Sequence, residues 1–244
     1  LRFLQFKPCA LLGFHQSAEQ ELDLDYCRAH GVTVQRRITG GGAIYFDATQ
    51  LGWELYLHKH DLGTADMAAI ARRLCEAAAR GISSLGVDAR YRPRNDIEVD
   101  GRKVSGTGGV FEGDALMYQG TLLVQFDVEK MLRVLRIPAE KLSDKAIASA
   151  RERVANLADL LGFVPPLDLV KKALSEAFGA EFGVDFVESG LLPPEQARYQ
   201  VALAEINTPA WVDQVAKQAS DMPIMEAVRK FPGGMLHVSL AYDA

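Results

Sequence analysis

Two segments of the chain combine glycines with cationic side chains, the combination expected at a site for a phosphate group. The first, RRITGGGAIYFD at residues 36–47, places two arginines just before three consecutive glycines. Glycine lets a backbone fold closely over a ligand, and successive N–H groups of such a turn can converge on an anion. Arg36 and Arg37 are therefore candidates for neutralising phosphate charge. Taken alone, the triple glycine is equally compatible with a flexible hairpin that carries surface arginines.

The second segment, RNDIEVDGRKVSG at residues 94–106, contains an Asp-Gly pair typical of a type I′ hairpin turn. The hairpin places Asn95 and Asp96 across from Lys103, so a carboxylate and an ammonium could meet near one site. Strand alternation predicts that Lys103 and Ser105 share a face. A lysine beside glycine-rich backbone suits a reacting phosphate group. An isolated hairpin of this kind is more often a solvated surface feature.

The composition limits the class of protein. With 244 residues, 48% hydrophobic and 24% charged, the chain can bury a sizeable core. Its formal net charge is -5, whereas a dedicated nucleic-acid binder usually shows a basic excess. No apolar run reaches the roughly 18 residues of a membrane-spanning helix. Three cysteines without a CxxC pair indicate free thiols in a reducing compartment, so we expect a cytoplasmic protein. From the charge and the lack of a long apolar run, we expect no nucleic-acid or membrane partner.

The elements that must position these segments follow from periodicity. Apolar and β-branched runs predict strands over residues 1–14 (two strands), 33–37, 43–47, 51–58, 87–92, 97–104 (the hairpin), 116–126, 184–188 and 235–242. Helical spacing predicts helices over residues 65–85, 127–135, 156–162, 167–182 and 194–204, with a weak helix or turn over 18–30. Because strands dominate the first half and helices the second, we predict an α+β fold with a mostly antiparallel β-sheet core and flanking helices.

Together the two segments resemble the signatures of the lipoate–protein ligase A family, whose catalytic domain has the biotin/lipoate ligase fold. RRITGGGAIYFD is similar to RRxxGGGxVxHD, and RNDIEVDGRKVSG is similar to the family's ND-hairpin-GxKxSG. Three further matches follow in family order: GFHQ at 13–16, GTLL at 120–123 and SARERVANL at 149–157. One such match would be weak, but five in order are specific. The stretches at residues 19–26 and 141–154 resemble the archaeal-type branch most.

The resemblance implies a two-step reaction. Lipoate and ATP first give lipoyl-adenylate and pyrophosphate. A lysine of a lipoyl carrier domain, such as a glycine-cleavage H-like protein or a dehydrogenase E2, then attacks the mixed anhydride. Lys103 would be the catalytic residue, bridging carboxylate and phosphate oxygens. The residues implied to bind ATP or lipoyl-adenylate are Arg37, Gly41, Gly42, Ala43, Ile44, Tyr45, Asn95, Asp96, Lys103 and Gly106. Mg²⁺ is expected to neutralise the triphosphate, with Asp96 either as its ligand or as a group that orders Lys103.

Two positions depart from the family pattern, and two other readings stay open. Phe46 and Gln119 stand where the family usually has histidine. An ATP-independent octanoyl or lipoyl transferase of the same fold carries a cysteine nucleophile just before the ND motif, where this chain has residues 92–94, RPR. A non-catalytic carrier-binding relative is the third reading; the retained Arg37 and Lys103 argue against it, and Phe46 argues mildly for it.

The resemblance also predicts a domain division. We assign residues 1–225 to the catalytic domain and 226–244 to a linker and the first strand of an incomplete accessory domain. A lone strand cannot bury a face by itself, so we expect it at an edge, completed by an accessory domain or subunit. On this reading the chain alone would transfer preformed lipoyl-adenylate better than it makes it.

Overall fold

The computed structural model describes residues 1–136, 144–215, 222, 224–231 and 234–242. The strands are β1 Arg2–Leu4, β2 Cys9–Leu12, β3 Thr33–Arg36, β4 Ile44–Phe46, β5 Gln50–His58, β6 Ala89–Arg92, β7 Asp96–Val99, β8 Arg102–Glu112, β9 Ala115–Leu123, β10 Ile224–Phe231 and β11 Gly234–Ala241. The helices are α1 Ala18–Glu21, α2 Leu24–Ala29, α3 Lys59–Leu62, α4 Met67–Ser83, α5 Val128–Val134, α6 Asp144–Arg153, α7 Leu157–Leu161, α8 Leu167–Phe182, α9 Pro193–Ile206 and α10 Pro209–Val212. The predicted α+β class with a largely antiparallel sheet is confirmed.

The main sheet has six strands in the order β1-β5-β9-β8-β7-β6, and every neighbouring pair is antiparallel. Helices α4 and α8 pack against one another, and α4 also lies on the β6–β8 end of the sheet. Asp66 caps α4 by accepting from the Ala68 N–H, and the helix buries Ile70, Leu74 and Ile82 at helical spacing. Each fully buried leucine or isoleucine contributes roughly 1.5–3 kcal/mol. This core leaves the other face of the sheet free for a site.

A smaller sheet of three strands, β3-β2-β4, lies beside the main one. Strand β2 pairs in parallel with β3 and antiparallel with β4. Its own core contains Leu12, Cys27, Tyr45 and Val134, which come from β2, α2, β4 and α5. The small sheet fixes both ends of the glycine-rich segment, because β3 ends at Arg36 and β4 begins at Ile44.

Two predicted elements differ from the structure. The weak helix over 18–30 is two short helices separated at Leu22–Asp23, where the Asp23 carboxylate caps α2. The predicted strand at 184–188 is irregular backbone. There the Val184 N–H donates to the Gly179 carbonyl and closes the end of α8, while Val187 is exposed. A short apolar run without a partner strand does not become a strand.

The C-terminal region forms a separate hairpin of β10 and β11. The strand predicted at 235–242 is confirmed as β11. Residues 224–231, which include the predicted linker, are instead its partner strand β10, and Ile224 pairs with Ala241. The resemblance predicted a linker here, but Ile224–Phe231 pairs along its whole length with β11. The domain boundary itself stays a prediction.

No helix in the described part of the chain is both long and apolar enough to cross a membrane.

Candidate active site

A cavity of about 380 Å³ lies where the free face of the main sheet meets the loop between β3 and β4. We call residues 39–42 of that loop the glycine loop. The lining of the cavity comes from β1 and the residues after it, β2, β4, β5, β8 and β9, the residues before β7, and Arg37 with the glycine loop. The lining residues are Leu4, Phe6, Leu11, Arg37, Thr39, Gly40, Gly41, Gly42, Ile44, Phe46, Gly52, Trp53, Glu54, Asn95, Lys103, Gly106, Thr107, Gly108, Gln119, Gly120 and Thr121.

The predicted site residues divide into two groups. Arg37, Gly41, Gly42, Ile44, Asn95, Lys103 and Gly106 line the cavity, whereas Ala43, Tyr45 and Asp96 do not. Alternation along β4 explains part of this division, because Ile44 and Phe46 face the cavity and Tyr45 faces the small core. The Tyr45 hydroxyl donates to Asp47 Oδ2 at 2.8 Å, and its ring is 1% exposed. Ala43 and Tyr45 can therefore meet a ligand only through their backbone.

Lys103 extends into the cavity from β8. Its Nζ lies 2.7 Å from Asp96 Oδ1, so the predicted meeting of ammonium and carboxylate across the hairpin is present. Gly106 makes room for it, since a Cβ there would lie 2.6 Å from Lys103 Nζ. The lysine side chain is 36% exposed, which leaves its ammonium accessible from the cavity.

The prediction that Lys103 and Ser105 share a face is wrong. The β7–β8 register shifts so that Ile97 pairs with Ser105 while Glu98 pairs with Lys103, which leaves Val104 as an extra residue. Such a bulge breaks the period of two. Val104 and Ser105 are both fully buried, whereas Lys103 and Gly106 line the cavity.

Arg37 holds the glycine loop in shape. Nε donates to Thr39 Oγ1 at 3.1 Å, Nη1 to the Leu11 carbonyl at 3.0 Å, and Nη2 to the Gly40 and Gly42 carbonyls at 2.8 and 2.9 Å. Burial lowers the pKa of Arg37 to about 10, so the side chain stays cationic at neutral pH. Arg37 thus places a positive charge at the cavity wall beside the glycine loop.

Gln119, which stands where the family usually has histidine, connects the glycine loop to the main sheet. Gln119 Nε2 donates to Thr39 Oγ1 at 2.7 Å, the same oxygen that accepts from Arg37. Phe46, the other departure, is 2% exposed and packs edge-on against Phe6 with ring centroids 4.6 Å apart. Position 46 therefore contributes apolar packing beside the cavity.

Sequence reasoning missed a buried network beneath Asn95. The Thr107 N–H and hydroxyl both donate to the Asn95 carbonyl, at 2.8 and 2.9 Å, and the Asn95 amide donates to the Thr107 carbonyl at 2.6 Å. The Thr107 hydroxyl also lies 2.7 Å from the Tyr118 hydroxyl and 3.3 Å from Cys75 Sγ. Nothing in a Gly-Thr-Gly run signals such a network, because its partners are distant in sequence.

The surroundings of Asp96 do not fit a protein-held metal ion. One carboxylate oxygen faces Lys103, and the other accepts from Arg92 Nη2 at 2.7 Å. The part of the chain that the structure describes holds no cluster of three or more side chains suited to a metal ion. The geometry agrees with the other role considered for Asp96, ordering Lys103.

The three cysteines do not line the cavity. Cys9, Cys27 and Cys75 are all buried, and none lines it. Burial and, to a lesser extent, the neighbouring Cys27 raise the pKa of Cys9 to about 11, and burial likewise raises the pKa of Cys75. No thiol of this chain is placed to attack a ligand in the cavity.

Comparison with known proteins gives a consistent result. Residues 1–179 match the family described as the lipoyl protein ligase A/B catalytic domain. Lipoate-protein ligase A subunit 1 of Thermoplasma acidophilum is 32% identical over 207 residues, covering 81% of this chain and 77% of that protein. An octanoyltransferase of Clostridioides difficile is 24% identical over 217 residues, covering 80% of each chain. The chain spans about half the length of the ligases matched in Bacillus subtilis and Staphylococcus aureus, 47% and 53%.

Solved structures show the same fold. A bipartite lipoate protein ligase from Thermoplasma acidophilum, described with its E2 lipoyl domain, superposes with a TM-score of 0.80 at 30% identity, covering 89% of this chain and 85% of that one. A lipoate-protein ligase A bound with ATP gives 0.76 at 27% identity, covering 88% and 85%. A Thermoplasma protein with bound lipoic acid gives 0.76 at 27% identity, covering 87% and 84%.

Proposed function

The chain belongs to the lipoyl protein ligase A/B family, and from this premise we propose that it is an ATP-dependent lipoate–protein ligase. It would activate lipoate as lipoyl-adenylate and transfer the acyl group to a lysine of a lipoyl carrier domain. The observation that carries the proposal is the position of Lys103, whose ammonium enters a cavity bordered by the glycine loop. The lining of that cavity contains no thiol.

The first step needs a carboxylate to approach a negatively charged α-phosphate. A carboxylate oxygen of lipoate attacks the α-phosphorus, the bond to the bridging oxygen breaks, and pyrophosphate leaves. Lys103 would lie between the two reacting anions, and Asp96 would hold its ammonium in place. A fixed cation in a cavity shielded from water stabilises charge far better than one in bulk solvent. The backbone of the glycine loop would supply N–H donors to the phosphate.

The second step, transfer of the acyl group to the carrier lysine, would require fewer side chains of this protein. The carrier amine attacks the acyl carbon, the bond to the adenylate oxygen breaks, and AMP leaves with the proton passing to solvent or to a nearby base. The apolar lining of the cavity, which includes Leu4, Phe6 and Ile44, would hold the acyl chain while this happens. The same lining would accept octanoate, and the packing of Phe6 against Phe46 would then influence the preference between the two acyl chains.

The transferase reading, which the octanoyltransferase relatives represent, is less well supported by the site. An acyl-enzyme mechanism needs a reactive thiolate, and reactive cysteines are partly exposed with a lowered pKa. The cysteines of this chain have the opposite properties, since burial raises the pKa of each. The segment just before Asn95, residues 92–94, is RPR and contains no cysteine.

The partners follow from the same reading. The Thermoplasma ligase is described with an E2 lipoyl domain, and we propose a carrier of that class, or a glycine-cleavage H-like protein, as the acceptor. An accessory domain or subunit would cover the exposed hairpin of β10 and β11. Mg²⁺ would enter with the triphosphate, since Asp96 is already engaged by Arg92 and Lys103. A cytoplasmic setting would keep the free thiols reduced.

The test is ATP–pyrophosphate exchange dependent on lipoate or octanoate, run with an added accessory polypeptide of a bipartite ligase, before and after treatment with iodoacetamide. We expect acyl-dependent exchange that survives the treatment, because the cysteines are buried and none of them lines the cavity. Absence of exchange, together with transfer from an octanoylated carrier that iodoacetamide abolishes, would establish the transferase instead. Binding of a carrier domain without either activity would establish the non-catalytic relative.

A further inference from the structure

A buried arginine joins the C-terminal helices to the backbone that supports the glycine loop. Arg36 is 3% exposed and ends β3. Its Nε donates to the Trp211 and Val212 carbonyls at 3.1 and 3.2 Å, and its Nη2 donates to the Val212 carbonyl at 2.6 Å. These carbonyls lie at the C-terminal end of α10, where a helix leaves its last acceptors unsatisfied. The guanidinium therefore caps α10.

The Nη1 group of the same guanidinium is directed toward the backbone beside the glycine loop. Arg36 Nη1 donates to the Gly13 and Phe14 carbonyls at 3.0 and 2.8 Å. The Phe14 N–H in turn donates to the Thr39 carbonyl at 2.9 Å, inside the glycine loop. Gly13 lies directly against the loop, because a Cβ there would come within 1.9 Å of the Gly41 carbonyl oxygen. Residues 13–14 thus form a layer between Arg36 and the loop.

Trp211 completes the connection from the helical side. Its indole Nε1 donates to the Arg36 carbonyl at 2.9 Å, and its ring meets the Phe14 ring edge-on at 6.1 Å. Gln35 precedes Arg36 on β3, and its Nε2 donates to the carbonyl of Ile206 at 3.2 Å, at the end of α9. Both helices are therefore tied to consecutive residues of β3.

The chemistry of Arg36 favours a positioning role over simple packing. Its hydrogen bonds go to neutral carbonyls, and burial lowers the pKa of the guanidinium, so the charge is kept at an energetic cost. A planar fork can bind acceptors on two sides at once, which an ammonium cannot. The sequence suggested that Arg36 would neutralise phosphate, but its donors are directed at the backbone.

We propose that Arg36 is a positioning residue that fixes the glycine loop against α10, and that Trp211 sets how firmly it does so. The identity of the anionic ligand rests on the proposed function, but the placement of the loop does not. Loosening the connection should cost binding of the nucleotide at the loop, while Lys103 and the chemical step stay intact. The expected signature is a raised KM for ATP with little change in kcat.

The decisive variant is Trp211→Phe, which keeps an aromatic ring beside Phe14 and removes the indole N–H bond together with part of the bulk of the ring system. One lost hydrogen bond corresponds to about a 2- to 10-fold change, so we expect the KM and the calorimetric Kd for ATP to rise together by that factor. Arg36→Lys should give a larger rise. Arg28→Lys, at an exposed ion pair with Asp25, is the matched control and should change neither quantity. Unchanged KM and Kd in Trp211→Phe would overturn the proposal.

A ligand-free measurement separates this proposal from the ligase assignment. Amide hydrogen exchange should be faster at residues 13–16 and 38–43 in Trp211→Phe than in the unmodified protein, with the main sheet unaffected. If the unmodified protein fails to bind ATP or to exchange pyrophosphate, the ligase assignment fails. The amide hydrogen-exchange pattern then tests the role of Arg36 by itself. Identical exchange in both proteins, or an equal increase throughout the chain, would overturn it. Should Arg36→Lys not fold, Trp211→Phe still decides.

Discussion

Lys103 owes its place in the cavity to three neighbours and a bulge. Asp96 binds its ammonium, Gly106 leaves space for it, and the extra residue Val104 shifts the alternation along β8 so that Gly106 lines the cavity together with Lys103. The carbonyl of Lys103 also accepts from the Ala155 N–H at 2.9 Å, which ties Lys103 to the SARERVANL segment. A residue held from so many sides is preorganised, which is what electrostatic catalysis requires.

Replacing Lys103 with methionine is expected to abolish acyl-adenylate formation in a folded protein. The transition state at the α-phosphate would lose its nearest cation, a loss typically about 100- to 1,000-fold in rate. Pyrophosphate exchange measures the rate, and circular dichroism checks the fold. Arg102→Met is the matched control, since the adjacent arginine does not line the cavity. Near-normal exchange by Lys103→Met would refute the assignment.

Two glycines of the loop give a sharper test than the triple glycine as a whole. Gly41 has φ +97° and lies close to Arg37, so any side chain there strains the loop itself. A Cβ at Gly42 meets nothing within 4 Å, so Gly42→Val should leave the free protein as stable as before. It should nevertheless weaken ATP binding by at least about 10-fold, because the side chain occupies the space in which main chain and ligand meet.

Calorimetry of ATP binding and thermal melting of Gly42→Val distinguish these effects. Unchanged ATP affinity would remove the glycine loop from the site. A large loss of thermal stability would show that Gly42 serves the fold instead.

At the scale of elements, sequence patterns predicted what local rules control. Helix α4 followed from apolar spacing, and the β7–β8 turn followed from its Asp-Gly pair, whose residues Asp100 and Gly101 have φ of 51° and 74°. The bulge could not be predicted, because it depends on how Ile97 packs into the core. The hydrogen bonds of Arg36 and Arg37 could not be predicted either. An arginine near glycines can bind either a ligand or backbone carbonyls, and only the fold determines which carbonyls lie near it.

The GTLL match illustrates a motif whose position is structural. Gly120 lies on β9 where a Cβ would come within 2.3 Å of the Trp53 ring, so glycine is needed for Trp53 to pack between strands. The resemblance identified the segment correctly, while its physical reason emerged only from the packing.

The network of Thr107 should support both stability and the site. Thr107→Val keeps the shape of the side chain and removes the hydroxyl bonded to Asn95 and Tyr118. The Asn95 carbonyl keeps the Thr107 N–H, but the Tyr118 hydroxyl loses its 2.7 Å partner and retains only Cys75 Sγ at 3.5 Å. Weakening a buried hydrogen bond in this way should lower the free energy of unfolding by about 1–3 kcal/mol. Chemical denaturation measures the change, and pyrophosphate exchange should slow as Asn95 loosens. Thr121→Val, whose hydroxyl makes only one long contact of 3.5 Å, is the stability control; an equal effect there would contradict the prediction.

For the whole molecule, the hairpin of β10 and β11 is expected to behave as a unit apart from the main core. It is a sheet of two strands, and such a pair is marginally stable by itself in water. The register sets Met225 opposite Leu240 and Ala227 opposite Val238, and these four side chains are exposed. Leu240→Asp should therefore change the unfolding free energy of the main core by less than about 0.5 kcal/mol. Leu122→Ala, in the buried sheet, should cost about 2–5 kcal/mol.

Amide hydrogen exchange then tests whether the hairpin lacks its covering partner. The amides of β10 and β11 should exchange long before those of β5 and β9, because opening the hairpin exposes little further apolar surface. Adding an accessory polypeptide of a bipartite ligase should slow exchange in the unmodified hairpin, and Leu240→Asp should prevent that protection by placing a charge in the apolar face. Protection of the free hairpin equal to that of the main sheet would contradict this view. It would indicate that the hairpin is already stabilised within this chain.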